Sequence, residues 1–190
     1  PKNLFDLNTF QLFSNTIYLV FLSSIVLVVF SFISNYGNRV TKSKFLNFLT
    51  TFSITGYAIP GVILAVAFIT FIAWFDNNFV KAFEFNSIKK IFIGSIFGLV
   101  IVYFIRFYSL AYNGLKTGYE RINRSIDESS YLLGYSKIKT FLGIHVPYLK
   151  NSVFLIGILI TIEVIKELPI TLILRPFNFE TFATTAYIFA

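Results

Sequence analysis

Glu128-Ser129-Ser130-Tyr131-Leu132-Leu133-Gly134-Tyr135-Ser136, followed through Ile144-His145-Val146-Pro147, is a polar stretch between two long apolar runs. Ser125-x-x-Glu128 has the form of a capping box, and Asp127 and Glu128 would lie in a first helical turn, where the dipole favours anions. A short helix over about 126–133 is expected. Gly134 suits the left-handed position just past its end. Ser136 can cap a second helix in which Ile138, Phe141 and Leu142 fall at i, i+3 and i+4 as one apolar stripe. Pro147 suits the first turn of a spanning helix, where its missing N–H leaves nothing unpaired. The segment thus predicts helix, glycine turn, helix, span. An amphipathic helix pair at a membrane surface either lies on lipid or docks into a groove of a partner. His145, the chain's only histidine, is expected to be a solvated or satisfied surface residue, not a ligand.

The composition places these helices in a membrane protein. Hydrophobic residues make up 56%, charged residues 13%, and mean hydropathy is +0.73. Soluble domains carry about 25% charged residues, so in water this chain would expose far too much apolar surface. There is no cysteine, which excludes disulfides and thiolate metal sites. A net charge of +7 would suggest nucleic acid in a soluble protein. In a membrane protein it reports Lys- and Arg-rich cytoplasmic loops, so no nucleic-acid partner is expected.

A span needs about 20 mostly apolar residues. Four candidates follow, at roughly 13–34, 46–75, 88–110 and 147–168. The second is too long for one simple span and contains Gly56-Tyr57-Ala58-Ile59-Pro60-Gly61. Pro60 cannot donate to the Gly56 carbonyl, so a kink or break is expected there, either as packing geometry or as a hinge lining a pathway. With the N-terminus outside, loops 35–45 and 111–150 are cytoplasmic. They carry nine of the sixteen Lys and Arg residues, the outer segments carry five, and Arg106 and Lys166 lie in spans. This orientation follows the positive-inside rule. Pro1 in place of Met, and an apolar run reaching Ala190, lead to the expectation that the segment is cut at both ends. The first run, long enough to span and followed by no small-residue cleavage site, does not read as a signal peptide.

Charges inside a span are costly and usually face a cavity or pair. Glu163, Lys166 and Glu167 are spaced to share one helix face, and Glu163 is about 24 Å along a helix from Pro147. This puts the cluster in the outer part of the bilayer, as a helix-end ion pair or as the lining of a route or gate. Arg106, toward the cytoplasmic end of the third span, is expected to snorkel.

The spacing of Glu128-Ser129-Ser130, three residues, Gly134, nine residues, Ile144-x-Val146-Pro147 resembles the coupling loop of binding-protein-dependent ABC importer permeases. Their pattern is Glu-Ala-Ala, three residues, Gly, nine residues, Ile-x-Leu-Pro. Ser129 and Ser130 replace the alanines and Val146 the leucine. The resemblance implies an all-α fold: a polytopic transmembrane helical bundle of the type I ABC importer permease kind, with at least four spans, residues 1–190 forming one permease domain and 122–147 a cytoplasmic coupling loop. It implies that Glu128, Ser129, Ser130, Gly134, Ile144, Val146 and Pro147 meet a cleft of a dimeric ABC ATPase subunit, which uses ATP and Mg. No cofactor or metal is assigned to this chain. Gly114-Leu115-Lys116-Thr117-Gly118 lacks the order of a phosphate-binding loop, and no nucleophile, base and orienting group converge, so an enzymatic role is not expected.

Lys166-Glu167-Leu168-Pro169-Ile170-Thr171-Leu172-Ile173-Leu174-Arg175-Pro176-Phe177 resembles the ferric iron branch of these permeases, as does Gly56–Gly61. That similarity implies the bacterial inner membrane as the site, a periplasmic ferric-binding protein as a partner, and a second permease half, fused or homodimeric. A fifth core span would follow residue 190. Pro60, Glu163, Lys166 and Glu167 are the candidate pathway or gate residues. Related permeases for thiamine, sulfate or polyamines share parts of the segment. A secondary transporter using the intramembrane charges, or a membrane scaffold, are the competing classes.

Overall fold

The computed structural model describes residues 7–41, 43–75, 78 and 94–190. Among these residues the chain is helical, with no strand. Helix α1 (Leu7–Thr41) is followed by α2 (Lys44–Ile54), which Ser43 caps through its hydroxyl and which continues as a 3₁₀ turn, Thr55–Ala58. Helix α3 (Gly61–Phe75) then sets off in a new direction, bent by 116° from α2 and the 3₁₀ turn. Helix α4 (Ile96–Glu120) is capped by Ser95. Helix α5 (Arg124–Leu132) and the short α6 (Lys137–Thr140) form the polar loop. A π turn (Phe141–His145) joins α6 to α7 (Val146–Lys166). The described residues end with α8 (Pro169–Leu174) and α9 (Phe182–Phe189).

Three helices are long and apolar enough to cross a membrane, and the bent pair counts as a fourth if it is one span. The expected third span begins outside the described residues. It ends ten residues later than expected, at Glu120, so the polar loop starts near 121 and not 111. Tyr112, Leu115 and Tyr119 extend the buried stripe of α4 through this added length, and packing carries the helix past its apolar run.

Helix α4 is the hub, packing on α1, α7, α2 and the 3₁₀ turn. Its buried face, Leu99, Val102, Tyr103, Phe107, Ala111 and Leu115, meets Leu19 and Leu27 of α1 and Leu149, Ile156 and Ile160 of α7. The large hydrophobics that remain exposed, such as Phe21, Ile33, Phe154 and Leu155, are those a bilayer would solvate. Close approach of α4 and α7 depends on Gly114 and Gly118, four apart. A Cβ on Gly114 would stand 2.7 Å from Ile156 Cγ1, and one on Gly118 2.7 Å from Leu149 Cδ2. Small residues at this spacing let membrane helices pack backbone to backbone. Gly114→Leu is expected to cost about 2 kcal/mol or more, since four added carbons have no space. Unfolding in mixed micelles measures it, and an unchanged midpoint would mean that α7 can move aside freely.

Amides and hydroxyls tie the frame together. Asn35 Nδ2 donates to the Tyr112 carbonyl at 3.1 Å, and Asn38 Nδ2 donates to Thr50 Oγ1 and Tyr112 Oη, both at 3.1 Å. These bonds join α1, α2 and α4. At the opposite end Asn15 Nδ2 donates to the Glu180 carbonyl at 3.0 Å, so α9 returns to α1.

Candidate functional site: the polar loop and the broken helix

The loop helices are built from local caps. The structure corrects the first of these: Asn123, not Ser125, caps α5, its side chain accepting from Ser125 N at 3.2 Å. The helix therefore starts at Arg124. Asp127 falls in its first turn, whereas Glu128 falls beyond it and is exposed. Gly134 has φ +83°, the left-handed conformation expected at this C-terminus, and Ser136 caps α6 by accepting from Lys139 N at 3.3 Å. The serine departures from the alanine pattern differ in role. Ser129 is exposed, while Ser130 is buried and its hydroxyl pairs with Thr140 Oγ1 at 2.7 Å, pinning α5 to the end of α6.

Of the predicted stripe Ile138–Phe141–Leu142, only Phe141 turns inward, packing edge-on to Phe32 and against Tyr36 of α1. Ile138 (71%) and Leu142 (59%) stay exposed, as do Leu132 (89%) and Leu133 (77%) on the other side of Gly134. The loop thus presents apolar side chains outward on a scaffold held from beneath. Val146 and Pro147 are exposed and Ile144 half-buried.

Pro147 does not begin a new helix. Lys137–Lys166 is continuous, and the π turn just before the proline, closed by Val146 N to the Phe141 carbonyl, widens the coil where a ring without an N–H must fit.

His145 is fully buried, contrary to the surface position expected of it. The continuous helix puts it on the inward stripe of Leu149, Ile156 and Ile160, a spacing legible in the sequence had the stripe been extended back through Pro147. Its Nε2 lies 2.7 Å from Asp127 Oδ1, and Tyr36 and Tyr119 enclose the ring. Asp127 Oδ2 accepts from Arg39 Nε at 2.6 Å. Arg39 also donates to the carbonyls of Tyr119, Ile122 and Asn123 at 3.3, 2.9 and 3.1 Å. One guanidinium of α1 therefore holds the end of α4, the cap of α5 and the carboxylate that grips the root of α7.

The charges of the span divide differently from their spacing. Glu163 and Lys166 pair at 2.6 Å, but Glu167 does not join them. The helix stops at Lys166, Glu167 has ψ 106°, and its side chain turns inward. It is buried and lies 3.2 Å from Arg106 Nε. Arg106 is not a snorkelling residue: its Nη1 donates to the Ile59 carbonyl at 2.7 Å, immediately before Pro60. Gly61 fits against the same pair, since a Cβ there would stand 2.7 Å from Glu167 Oε1 and 3.4 Å from Arg106 Nη1. Gly56 lets the 3₁₀ turn touch α4, a Cβ there falling 2.1 Å from the Ile105 carbonyl oxygen. The broken helix, Arg106 and Glu167 thus form one cluster, and Tyr103 hydrogen-bonds Thr171 of α8 beside it.

The described helices, three of them long and apolar enough to cross a membrane, with a helix broken at a proline, charges paired beside that break and an outward-facing helix pair in the polar loop, form a membrane-type helical bundle. Residues 27–186 match the family described as binding-protein-dependent transport system inner membrane component, and the chain belongs to that family. No curated protein matches the sequence.

Proposed function

We propose that this chain is the transmembrane subunit of an ATP-driven importer that moves ferric iron from a periplasmic binding protein across the bacterial inner membrane. The observation that carries the coupling half of this reading is the outward apolar set Leu132, Leu133, Ile138 and Leu142 on a loop anchored from beneath by Arg39. Exposed apolar side chains on a rigid helical pair are suited to a partner's groove. The groove is that of a dimeric ATPase on the cytoplasmic side, which uses ATP and Mg. Glu128, Ser129, Gly134, Ile144, Val146 and Pro147 belong to the docking segment, and Ser130 shapes it from within. A second permease half completes the pathway. The ferric iron assignment rests on the segment from Lys166 to Phe177 and on its likeness to that branch.

Pro60, Glu163, Lys166 and Glu167 belong to the route or its gate. Arg106, paired with Glu167, holds the carbonyl at the break, while Glu163 is largely covered and pairs with the exposed Lys166. Opening would have to separate Glu167 from Arg106 or carry both with the break. Glu167→Gln is expected to lower uptake by about tenfold or more, because the partly buried Arg106 guanidinium loses its counter-charge, whereas Glu163→Gln, whose partner Lys166 is exposed, has the smaller effect. If both variants transport normally at normal expression, neither carboxylate serves the route.

The deciding assay reconstitutes the full-length protein with its ATPase and binding protein in proteoliposomes. Radioactive ferric iron uptake is followed with and without ATP, with thiamine and sulfate in parallel. ATP-dependent iron uptake is expected. ATP-dependent uptake of another substrate would remove iron, and ATP-independent uptake by an assembled complex would make the protein a secondary transporter.

A further inference from the structure

A cavity of about 730 Å³ opens between the ends of α1 and α4, the start of α2 and the beginning of the polar loop. Arg39, Lys116, Arg121 and Arg124 line it, with Glu120 the only acidic residue in its wall. Arg39 is committed to Asp127. Lys116, Arg121 and Arg124 are exposed and make no ion pair among the described residues. Three cations therefore face one carboxylate across a space large enough for a phosphorylated headgroup. The Asn38 and Asn47 amides complete the polar wall, and Asn38 Oδ1 is buried without a hydrogen-bond partner.

Helix α2 indicates the depth of this cavity. Its Asn47 and Thr50 point toward α1 and the cavity, while Phe45, Phe48 and Phe52 are exposed along its other side. A short helix with one polar wall and a phenylalanine stripe is suited to the membrane interface, where phospholipid phosphates lie. Basic pockets at the cytoplasmic face bind such headgroups through the charges of Lys and Arg, and guanidinium groups can contact a phosphate with two N–H donors.

We propose that this cavity binds a phosphate group between Lys116, Arg121 and Arg124, carried by an anionic phospholipid of the adjoining leaflet or by a free phosphate. Only the assignment of that leaflet to the cytoplasmic side rests on the orientation given above. Arg121 and Arg124 flank Ile122 and Asn123, whose carbonyls Arg39 holds, so an occupant would brace the junction between α4 and the polar loop.

The test uses the full-length protein in neutral detergent, without ATPase or transport substrate, so that its outcome does not depend on the transport reading. Thermal unfolding is followed while phosphatidylglycerol, phosphatidylcholine or inorganic phosphate is added at constant ionic strength. A saturable rise in unfolding temperature is expected with phosphatidylglycerol and not with phosphatidylcholine. The triple variant Lys116→Gln/Arg121→Gln/Arg124→Gln should need at least about tenfold more of it, while Lys137→Gln/Lys139→Gln, with charges removed elsewhere on the loop, should keep the wild-type response. If inorganic phosphate alone gives the saturable shift, lost in the triple variant, the site takes a free phosphate. Should the triple variant unfold without any lipid, the single variant Lys116→Gln replaces it, with a smaller rightward shift expected. Equal rises with both lipids, an undiminished response in the triple variant or in the Lys116→Gln variant that replaces it, or no response to any of the three additions would overturn the proposal.

Discussion

Asp127→Ala is expected to destabilise the protein by about 3 kcal/mol, near the lower end of the range for breaking a buried ion pair. The carboxylate is the meeting point of a partly buried guanidinium, Arg39 Nε at 2.6 Å, and a fully buried imidazole, His145 Nε2 at 2.7 Å. Arg39 would keep its bonds to three backbone carbonyls, which limits its loss. His145 would lose its side-chain partner outright, since its Nδ1 already has none. Side-chain exposures of 12–13% for Arg39 and Asp127 admit some water, and this also argues for the lower figure. Asp127→Asn should recover part of the loss by keeping an acceptor for Arg39. Reversible unfolding in mixed micelles measures both variants, and a double-mutant cycle with His145→Ala isolates the histidine's share. A change within about 0.5 kcal/mol for Asp127→Ala, the ordinary range for surface substitutions, would show that the three carbonyl bonds alone secure the loop.

The second large effect is functional. Gly134→Pro should leave the bundle folded and abolish ATP-driven uptake. A proline cannot adopt φ +83°, and it also removes the N–H that donates to the Tyr131 carbonyl at 3.0 Å. The change would reorient α5 relative to α6, separating Leu132 and Leu133 from Ile138 and Leu142. Nothing lies within 4 Å of a Cβ at this position, so steric crowding would not confuse the result. Gly134→Ala tests conformation alone, with a cost of about 1 kcal/mol for the left-handed backbone. Uptake and membrane level are measured together. Wild-type uptake by the proline variant would mean that the orientation of α5 and α6 does not matter to coupling.

The helix break, the left-handed turn and the Ser136 cap were all legible in the sequence, because each depends on a few neighbouring residues. Pro60 lacks a donor, Gly134 lacks a Cβ, and Ser136 reaches a backbone N–H three residues on. Local pattern failed where two solutions compete. Ser125-x-x-Glu128 and Asn123 are both chemically able to start α5, and the asparagine prevails where Arg39 holds the Ile122 and Asn123 carbonyls against α1. The three charges near the end of α7 have the spacing of a shared face only while the helix continues. It stops one residue too soon.

Taken alone, the sequence determined that this is an all-helical membrane protein with a broken second run and a helix–glycine–helix loop. Hydropathy, proline chemistry and glycine conformation act within a turn or two of each residue. The tertiary structure alone decided the partners of the buried charges: Arg39 with Asp127 across 88 positions, Arg106 with the Ile59 carbonyl across 47, and Glu167 with Arg106. A charge in a low-dielectric interior must find a counter-charge or a dipole, and which one it finds depends on how the helices pack.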